Sequence, residues 1–246
     1  MKIKLGDKAL EVLKGISVIN QETVLRNDYL YTKYDFSIED SKSKGIEDVI
    51  VSYDLPEGEI EVTEEIGLGN INEFLSIYNS FDKESLTLAP NGTTIKMKDK
   101  RKSVTFFTTT VDALPKKEEL GMQLYDEGET IIKFVIDEAG LEQIKKDLKI
   151  LNIDKLSVVS TESGGVEILA QNSVSSNDTS ISIEDRFVSK GEGEFTFSNS
   201  SIFEVIMAGI YTIEVKKCKY DESEIFICKL ENKSIPGLYY INVSNS

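Results

Sequence analysis

Apolar and polar side chains alternate with a period of two through Thr23 to Lys33, Glu59 to Thr63, Thr94 to Lys98, Val104 to Thr108 and Ile131 to Ile136. This is the pattern of strands with one buried and one wet face, and it dominates the chain. Helical spacing is confined to four stretches. The first covers Asp7 to Ile19, with Asp7 as the expected amino-terminal cap and Ala9, Val12, Leu13 and Ile16 on one face. The second covers Asn70 to Phe81, with Asn70 as cap, Glu73 three residues on, and Phe74, Ile77, Tyr78 and Phe81 as the apolar stripe. The third follows the strand Ile131 to Ile136, with Asp137 as cap and Leu141, Ile144, Leu148 and Leu151 inward. The fourth, Asn199 to Met207, follows the alternating Glu194-Phe195-Thr196-Phe197.

These helices pair across the chain. Leu10, Glu11 and Lys14 return as Leu141, Glu142 and Lys145 at an offset of 131, and Asn70, Phe74 and Ile77 return as Asn199, Phe203 and Ile206 at 129. Two helix signatures recurring at nearly one spacing predict a duplicated α+β unit, although amphipathic helices also resemble one another by chance. Between the copies, Val111 to Gly121 is polar and carries Pro115 and Gly121, which suits a connector. The expected organisation is residues 1–110, a connector at 111–121, and residues 122–246. Loops are expected at Ser37 to Gly45 and at Gln171 to Ser180.

Composition narrows the chemistry. The 246 residues hold 28 basic and 43 acidic side chains, a net charge of -15, so wrapping a polyanion with the whole surface is disfavoured and any nucleic-acid contact requires a local cation cluster. There is no histidine, which removes Ser/His and Cys/His nucleophile pairs and the two-His zinc helix. Cys218 and Cys228 lack paired CxxC spacing and read as reduced strand residues. With no apolar leader after Met1 to Lys8 and no run near ~20 apolar residues, the chain reads as cytoplasmic, with no membrane partner.

The order strand, Asp7-Lys8-Ala9-Leu10-Glu11-Val12-Leu13-Lys14, Ser17-Val18-Ile19-Asn20, strand resembles the opening of a DNA polymerase sliding clamp of the T-even phage type. Leu141-Glu142-Gln143-Ile144 with Lys145, Lys146, Lys149 and the exit Leu151-Asn152-Ile153-Asp154 resembles the matching helix of that clamp's second domain. The tail Gly237-Leu238-Tyr239-Tyr240-Ile241 is similar to the closing strand of proliferating cell nuclear antigen, while no close match to the connector motifs of cellular clamps is present. The resemblance implies an α+β fold of two repeated clamp domains, helices on the inner face and antiparallel sheets outside. Three subunits would close head to tail into a ring. It implies a processivity factor without enzymatic activity or cofactor, partnered by duplex DNA, a DNA polymerase, a clamp loader and further copies of itself.

The third helix also carries a signal of its own. Once its apolar stripe faces a sheet, Lys145, Lys146 and Lys149 are expected to project together from the other side, which is either a solvated face or a contact for phosphates. Lys8, Lys14 and Lys83 are weaker candidates, and the run Lys96 to Lys102 reads mainly as a solvated hairpin tip. Few phosphate contacts would give the low free affinity that sliding requires. The resemblance further implies subunit contacts between edge strands, Ser103 to Thr110 with Val104, Phe106 and Thr108, and Asn177 to Glu184 with Ile181 and Ile183. It also implies a partner-peptide depression lined by Leu114, Tyr125, Ile235, Pro236, Tyr239 and Ile241, although each of these also suits an ordinary core.

Two rival readings remain open. One is a β-rich phage structural or assembly protein that encircles nothing. The other is a carboxylate or metal-dependent enzyme such as a glycan hydrolase, which predicts an acid pair with strongly shifted titration in a cleft. Glu57, Glu59 and Glu61 along one strand edge, and Asp221-Glu222 in a turn, read as solvated groups.

Overall fold

The computed structural model describes residues 3–34, 49–114, 119–153, 155–160, 165–172, 178–183, 193–197, 202–220 and 223–245. The chain divides into two compact units, one of Met1–Tyr34 with Val51–Lys117, the other of Asp35–Ile50 with Glu118–Ser246. The division after Lys117 falls inside the 111–121 stretch.

Unit 1 contains β1 (Lys4–Leu5), α1 (Asp7–Ile16), β2 (Thr23–Leu25), β3 (Tyr29–Tyr34), β4 (Val49–Asp54, of which Val51 onward belongs here), β5 (Ile60–Glu61), β6 (Ile66–Leu68) and α2 (Ile71–Asn79). It ends in a meander of β7 (Thr87–Asn91), β8 (Thr94–Lys98) and β9 (Ser103–Phe107). Unit 2 contains α3 (Glu119–Glu127), β10 (Glu129–Ile136), α4 (Glu138–Leu151), β11 (Lys155–Ser160), β12 (Val166–Gln171), β13 (Asp178–Ile183), β14 (Gly193–Phe197) and α5 (Ile202–Val205). It ends in a second meander of β15 (Tyr211–Tyr220), β16 (Ser223–Asn232) and β17 (Leu238–Asn245). Apart from α3, both units run strand, helix, several strands, helix, meander.

The pairings repeat as well. β2 pairs antiparallel with β6 as β11 does with β14. The opening strand touches the first meander strand in both units, through the bridge Ile3 to Leu88 and through the β10–β15 ladder. In unit 1, Ala9, Val12, Leu13 and Ile16 of α1 are buried with Ile71, Phe74, Leu75 and Tyr78 of α2, and Phe74 meets Phe106 of β9 edge-on at 5.5 Å. In unit 2, Phe203 of α5 stands edge-on to Phe197 at 5.0 Å, and Phe197 to Phe195 at 4.9 Å.

Two of the expected caps form. Asn70 accepts from the Glu73 amide at 2.9 Å and Asp137 from the Gly140 amide at 2.8 Å. Asp7 does not act as a cap; it is the first residue of α1, whose cap position is Gly6. The capping oxygen comes from Glu59, whose carboxylate accepts from the Ala9 amide at 3.0 Å while its carbonyl accepts from the Gly6 amide. A Cβ on Gly6 would lie 2.3 Å from that carboxylate, so glycine admits the acid to the positive end of the helix. Glu59, expected as a solvated strand residue, is thus an anion bound at a helix terminus.

Other boundaries differ from expectation. α1 stops at Ile16, and α5 is a single turn, with Asn199 outside the described residues. β13 begins at Asp178, so 178–180 are strand rather than loop, and 37–45 and 173–177 lie outside the described residues. The connector stretch holds a 3-10 turn at Val111–Ala113 and the start of α3, which no periodicity predicts.

Burial also revises the equivalence between the copies. Ala9, Val12 and Ile16 are buried as Leu141, Ile144 and Leu148 are, at an offset of 132 rather than 131. Phe74, Leu75 and Tyr78 match Ile202, Phe203 and Ile206 at 128 rather than 129. The inward phase of a helix is set by what it packs on, and identical letters one position away are on a different face.

Candidate nucleic-acid interface and docking face

The corrected offset places Lys145 where unit 1 has Leu13, which is fully buried. Lys145 is accordingly drawn inward: its side chain is 20% exposed, its ammonium donates to the Ile206 carbonyl at 3.2 Å, and it pairs with Glu142 at 3.2 Å. It does not project together with Lys146 and Lys149, which are exposed. Lys146 is instead the counterpart of Lys14, also exposed on α1. Each is followed four residues later by an exposed apolar side chain, Val18 at 65% and Ile150 at 66%. Ile150 lies within α4, whereas Val18 lies in the turn just past the end of α1.

Lys8 pairs with Glu11 at 2.9 Å, and Lys83 lies over the Tyr78 ring at 5.4 Å. α1 carries two acids and two lysines, α4 three of each, so these helices are neutral in a chain of net charge -15. The basic run on β8 belongs elsewhere. Ile95 and Met97 face inward with Phe106, so Lys96 and Lys98 occupy the meander face turned away from α2. Lys102 lies over Phe81 at 4.4 Å and donates to Ser80 at 2.7 Å. The tip itself is organised by Asp99, which accepts from the Lys102 and Arg101 amides at 2.7 Å each, so its carboxyl is held below the usual range.

β9 and β13 are edges of their sheets among the described residues, in the orders β7-β8-β9 and β13-β12-β11-β14. On β9, Phe106 faces the core, Val104 and Thr108 are half-buried, and Phe107 is 76% exposed. On β13, Ile181 and Ile183 stand in register with Ile168 and Val166.

Of the six docking candidates, Leu114 belongs to unit 1 and the other five to unit 2. Leu114 is buried in unit 1 over Gly67, where a Cβ would meet the Leu114 side chain at 2.7 Å and the Thr109 carbonyl at 2.2 Å. Ile235 is buried at the turn into β17, its amide bonded to Asn232, and Pro236 is exposed. Tyr239 and Ile241 share the face of the β15–β17 meander that carries Glu214, Lys216 and Lys229, and Tyr125 lies against its two lysines. Lys229 lies over Tyr239 at 4.8 Å and over Tyr125 at 5.5 Å, and Lys216 over Tyr125 at 4.4 Å. The Tyr125 hydroxyl bonds to Glu214, which also accepts from Thr130 at 2.7 Å and Lys133 at 2.8 Å.

Burial pushes the Tyr125 hydroxyl far up, and the Glu214 charge adds to the effect. Burial alone would raise Glu214, but its bonds from Lys133 and Thr130 outweigh that and hold it low. Tyr125 therefore fills this face rather than rimming a vacancy. An adjoining cleft of about 370 Å³ is lined by Leu124, Glu127, Gly128, Glu129, Lys217, Cys218, Lys219 and Glu224. Neither lowered carboxyl, Asp99 or Glu214, is the raised acid that a paired-carboxylate hydrolase uses. Among the described residues no group of three or more His, Cys, Asp or Glu could hold a metal ion, and no helix is long and apolar enough to cross a membrane.

No protein-family model and no curated protein sequence matches the chain. Solved structures do. The A. fulgidus PCNA bound to the C-terminal region of FEN-1 aligns over 100% of this chain and 97% of its own, with a TM-score of 0.60 at 17% identity. PCNA from Thermococcus kodakaraensis aligns over 100% and 99%, with a TM-score of 0.60 at 14% identity. The DNA polymerase sliding clamp of Pseudomonas aeruginosa is covered over 64% of its length, with a TM-score of 0.58 at 11% identity. Whole-chain agreement with these structures, together with the repeated order of helices and meanders, gives this protein the α+β fold of the DNA sliding clamps.

Proposed function

We propose that the protein is a DNA sliding clamp of the phage type, a homotrimer that encircles duplex DNA, is placed there by a clamp loader and tethers a polymerase, with no catalysis of its own. The observation that carries the reading is the pair of sheet edges, β9 in unit 1 and β13 in unit 2. Each edge leaves backbone donors and acceptors unpaired within the described chain, and mutual pairing between copies satisfies both. A contact between two different edges is heterologous, so it closes into a ring or runs on as a filament. The full-chain likeness to PCNA supports closure.

The helix surfaces suit sliding. Lys14, Lys146 and Lys149, with Lys8 and Lys83 already engaged by neighbours, give a handful of phosphate contacts per subunit, and retention comes from topology rather than affinity. Multi-angle light scattering tests the reading: it expects a closed trimer whose addition lengthens polymerase products on primed circular DNA. A stable monomer or an open-ended polymer without effect on product length would transfer the chain to the assembly-protein reading.

A further inference from the structure

From Thr87 to Phe107 the chain carries five basic residues and one acid, against 28 and 43 for the whole. That acid, Asp99, is buried, and its carboxylate is spent on the Arg101, Lys102 and Asp82 amides. These bonds fix the turn between β8 and β9, so Lys100 and Arg101 stand out from a shaped tip. Among the described residues Lys96, Lys98, Lys100 and Arg101 are exposed and form no ion pair, whereas Lys4, Lys8 and Lys133 each reach a glutamate at 2.8 to 2.9 Å.

Register defines the surface that these cations share. β8 lies between β7 and β9, and its outward row pairs Lys96 with Ala89 and Thr105, and Lys98 with Thr87 and Ser103. Two strand steps set the lysines roughly 7 Å apart. Phe107, opposite Thr94, closes the same face and is 76% exposed. It is the diagonal neighbour of Lys96, at roughly 7–8 Å, and among the described residues it meets no ring and no cation. The matching face of unit 2 carries Glu214 and is filled by Tyr125; this one holds no acid and lies open.

A single exposed phenylalanine needs no explanation, and a lysine row alone is a solvated face. Together on one flat sheet, with no carboxylate to neutralise them, they supply what an unpaired nucleic-acid strand uses. The cations follow its phosphates, and the free ring takes a base. The Ser103 and Thr105 hydroxyls flank the lysines as further phosphate donors. An acidic protein segment would use the cations and leave the ring idle.

We propose that the β7–β9 face turned away from α2, with its basic tip, binds an unpaired nucleic-acid strand, Lys96, Lys98, Lys100 and Arg101 on phosphates and Phe107 under a base. This goes beyond encirclement of a duplex, because the contact needs neither a ring nor the helix lysines. Pairing of the β9 edge with another copy uses backbone groups and leaves these side chains outward.

Fluorescence anisotropy on the full-length protein at low salt tests the site, with labelled oligothymidylate and oligouridylate of about 12 nucleotides. At least one should bind, and the tighter names the strand. Lys96→Ala with Lys98→Ala should lower the slope of log affinity against log salt by about 1.4, at about 0.7 per phosphate. Phe107→Leu keeps an apolar side chain without a ring and should weaken binding about fivefold or more, while Phe107→Trp should retain it. Alanine at Lys14, Lys146 and Lys149 together should leave oligomer affinity unchanged. Absence of binding, an unaltered affinity in Phe107→Leu, a loss confined to the helix-lysine variant, or polyglutamate displacing the oligomer as well as unlabelled strand does would each overturn the proposal. Light scattering on the same proteins reports on the trimer separately, so the two readings fail independently.

Discussion

The Lys145 ammonium donates to the Ile206 carbonyl at 3.2 Å, tying α4 to the residue that follows the short α5. A lysine in a position equivalent to a buried leucine keeps its stem in the apolar layer and spends its charge on backbone.

Lys145→Ala should therefore cost stability, about 1 kcal/mol for a charge-assisted bond on a partly exposed group, read as a lower urea midpoint. Its effect on retention of the protein on circular DNA should be smaller than that of Lys146→Ala. The reverse order would return Lys145 to the DNA-facing set.

Lys14, Lys146 and Lys149 are exposed and should behave oppositely. Their alanine variants should keep the urea midpoint within about 0.5 kcal/mol and weaken DNA retention. For every ammonium that no longer neutralises a phosphate, the slope of log affinity against log salt should shrink by about 0.9. An unchanged slope in the triple variant would exclude these lysines as phosphate ligands.

Glu59, just before β5, caps α1 from fifty residues away. Glu59→Gln keeps an acceptor oxygen but removes the charge, whereas Glu59→Ala removes both. Losses of a few tenths and of about 1 kcal/mol are expected respectively, measured by thermal unfolding. Gly6→Ala should match the larger loss, because its Cβ would occupy the carboxylate's position.

Acid sensitivity follows from Asp99 and Glu214, whose carboxyls are held low in the folded chain. For a depressed carboxyl the stabilisation is present above the unfolded value and is lost as pH falls through the folded one. Urea midpoints should hold steady down to the ordinary glutamate value of 4.5 and then decline. Glu214→Gln should remove part of that dependence, and an unchanged profile would show that Glu214 does not report on folding.

How much of this is legible in the sequence depends on the range of each signal. Caps at Asn70 and Asp137 are readable because cap and amide are three residues apart, and the meanders because alternation is local. The Glu59 cap is not, since nothing near Glu59 or Asp7 records a contact fifty positions away. The lysine trio misleads for a subtler reason. A stripe of Leu141, Ile144 and Leu148 leaves Lys145 at its border, and whether a border residue turns inward depends on α5 supplying a carbonyl. α3 gives no periodic signal: among its described side chains, Met122 to Glu127, only Tyr125 is buried, and one position cannot establish a period. The docking residues follow from resemblance; Tyr239 and Ile241 do share a face, but Tyr125 occupies it.

The edge of β9 gives the sharpest test of assembly. Thr108 donates to Thr93 at 2.9 Å and Asp99 to Lys102 at 3.0 Å, the two ends of the β8–β9 ladder. Antiparallel bonding alternates, so the Val104 and Phe106 amides point to β8, while those of Ser103, Thr105 and Phe107 point away from it, to the free edge. Thr105→Pro therefore removes a donor from the edge without removing one from β8, a position where proline is tolerated. Val104→Pro, one residue earlier, removes a ladder bond and should unfold the meander. If β9 joins a neighbouring copy, Thr105→Pro should yield a folded protein that scatters as a monomer at concentrations where the unmodified chain is a trimer, with no lengthening of polymerase products. A trimeric Thr105→Pro protein would show that subunits meet elsewhere.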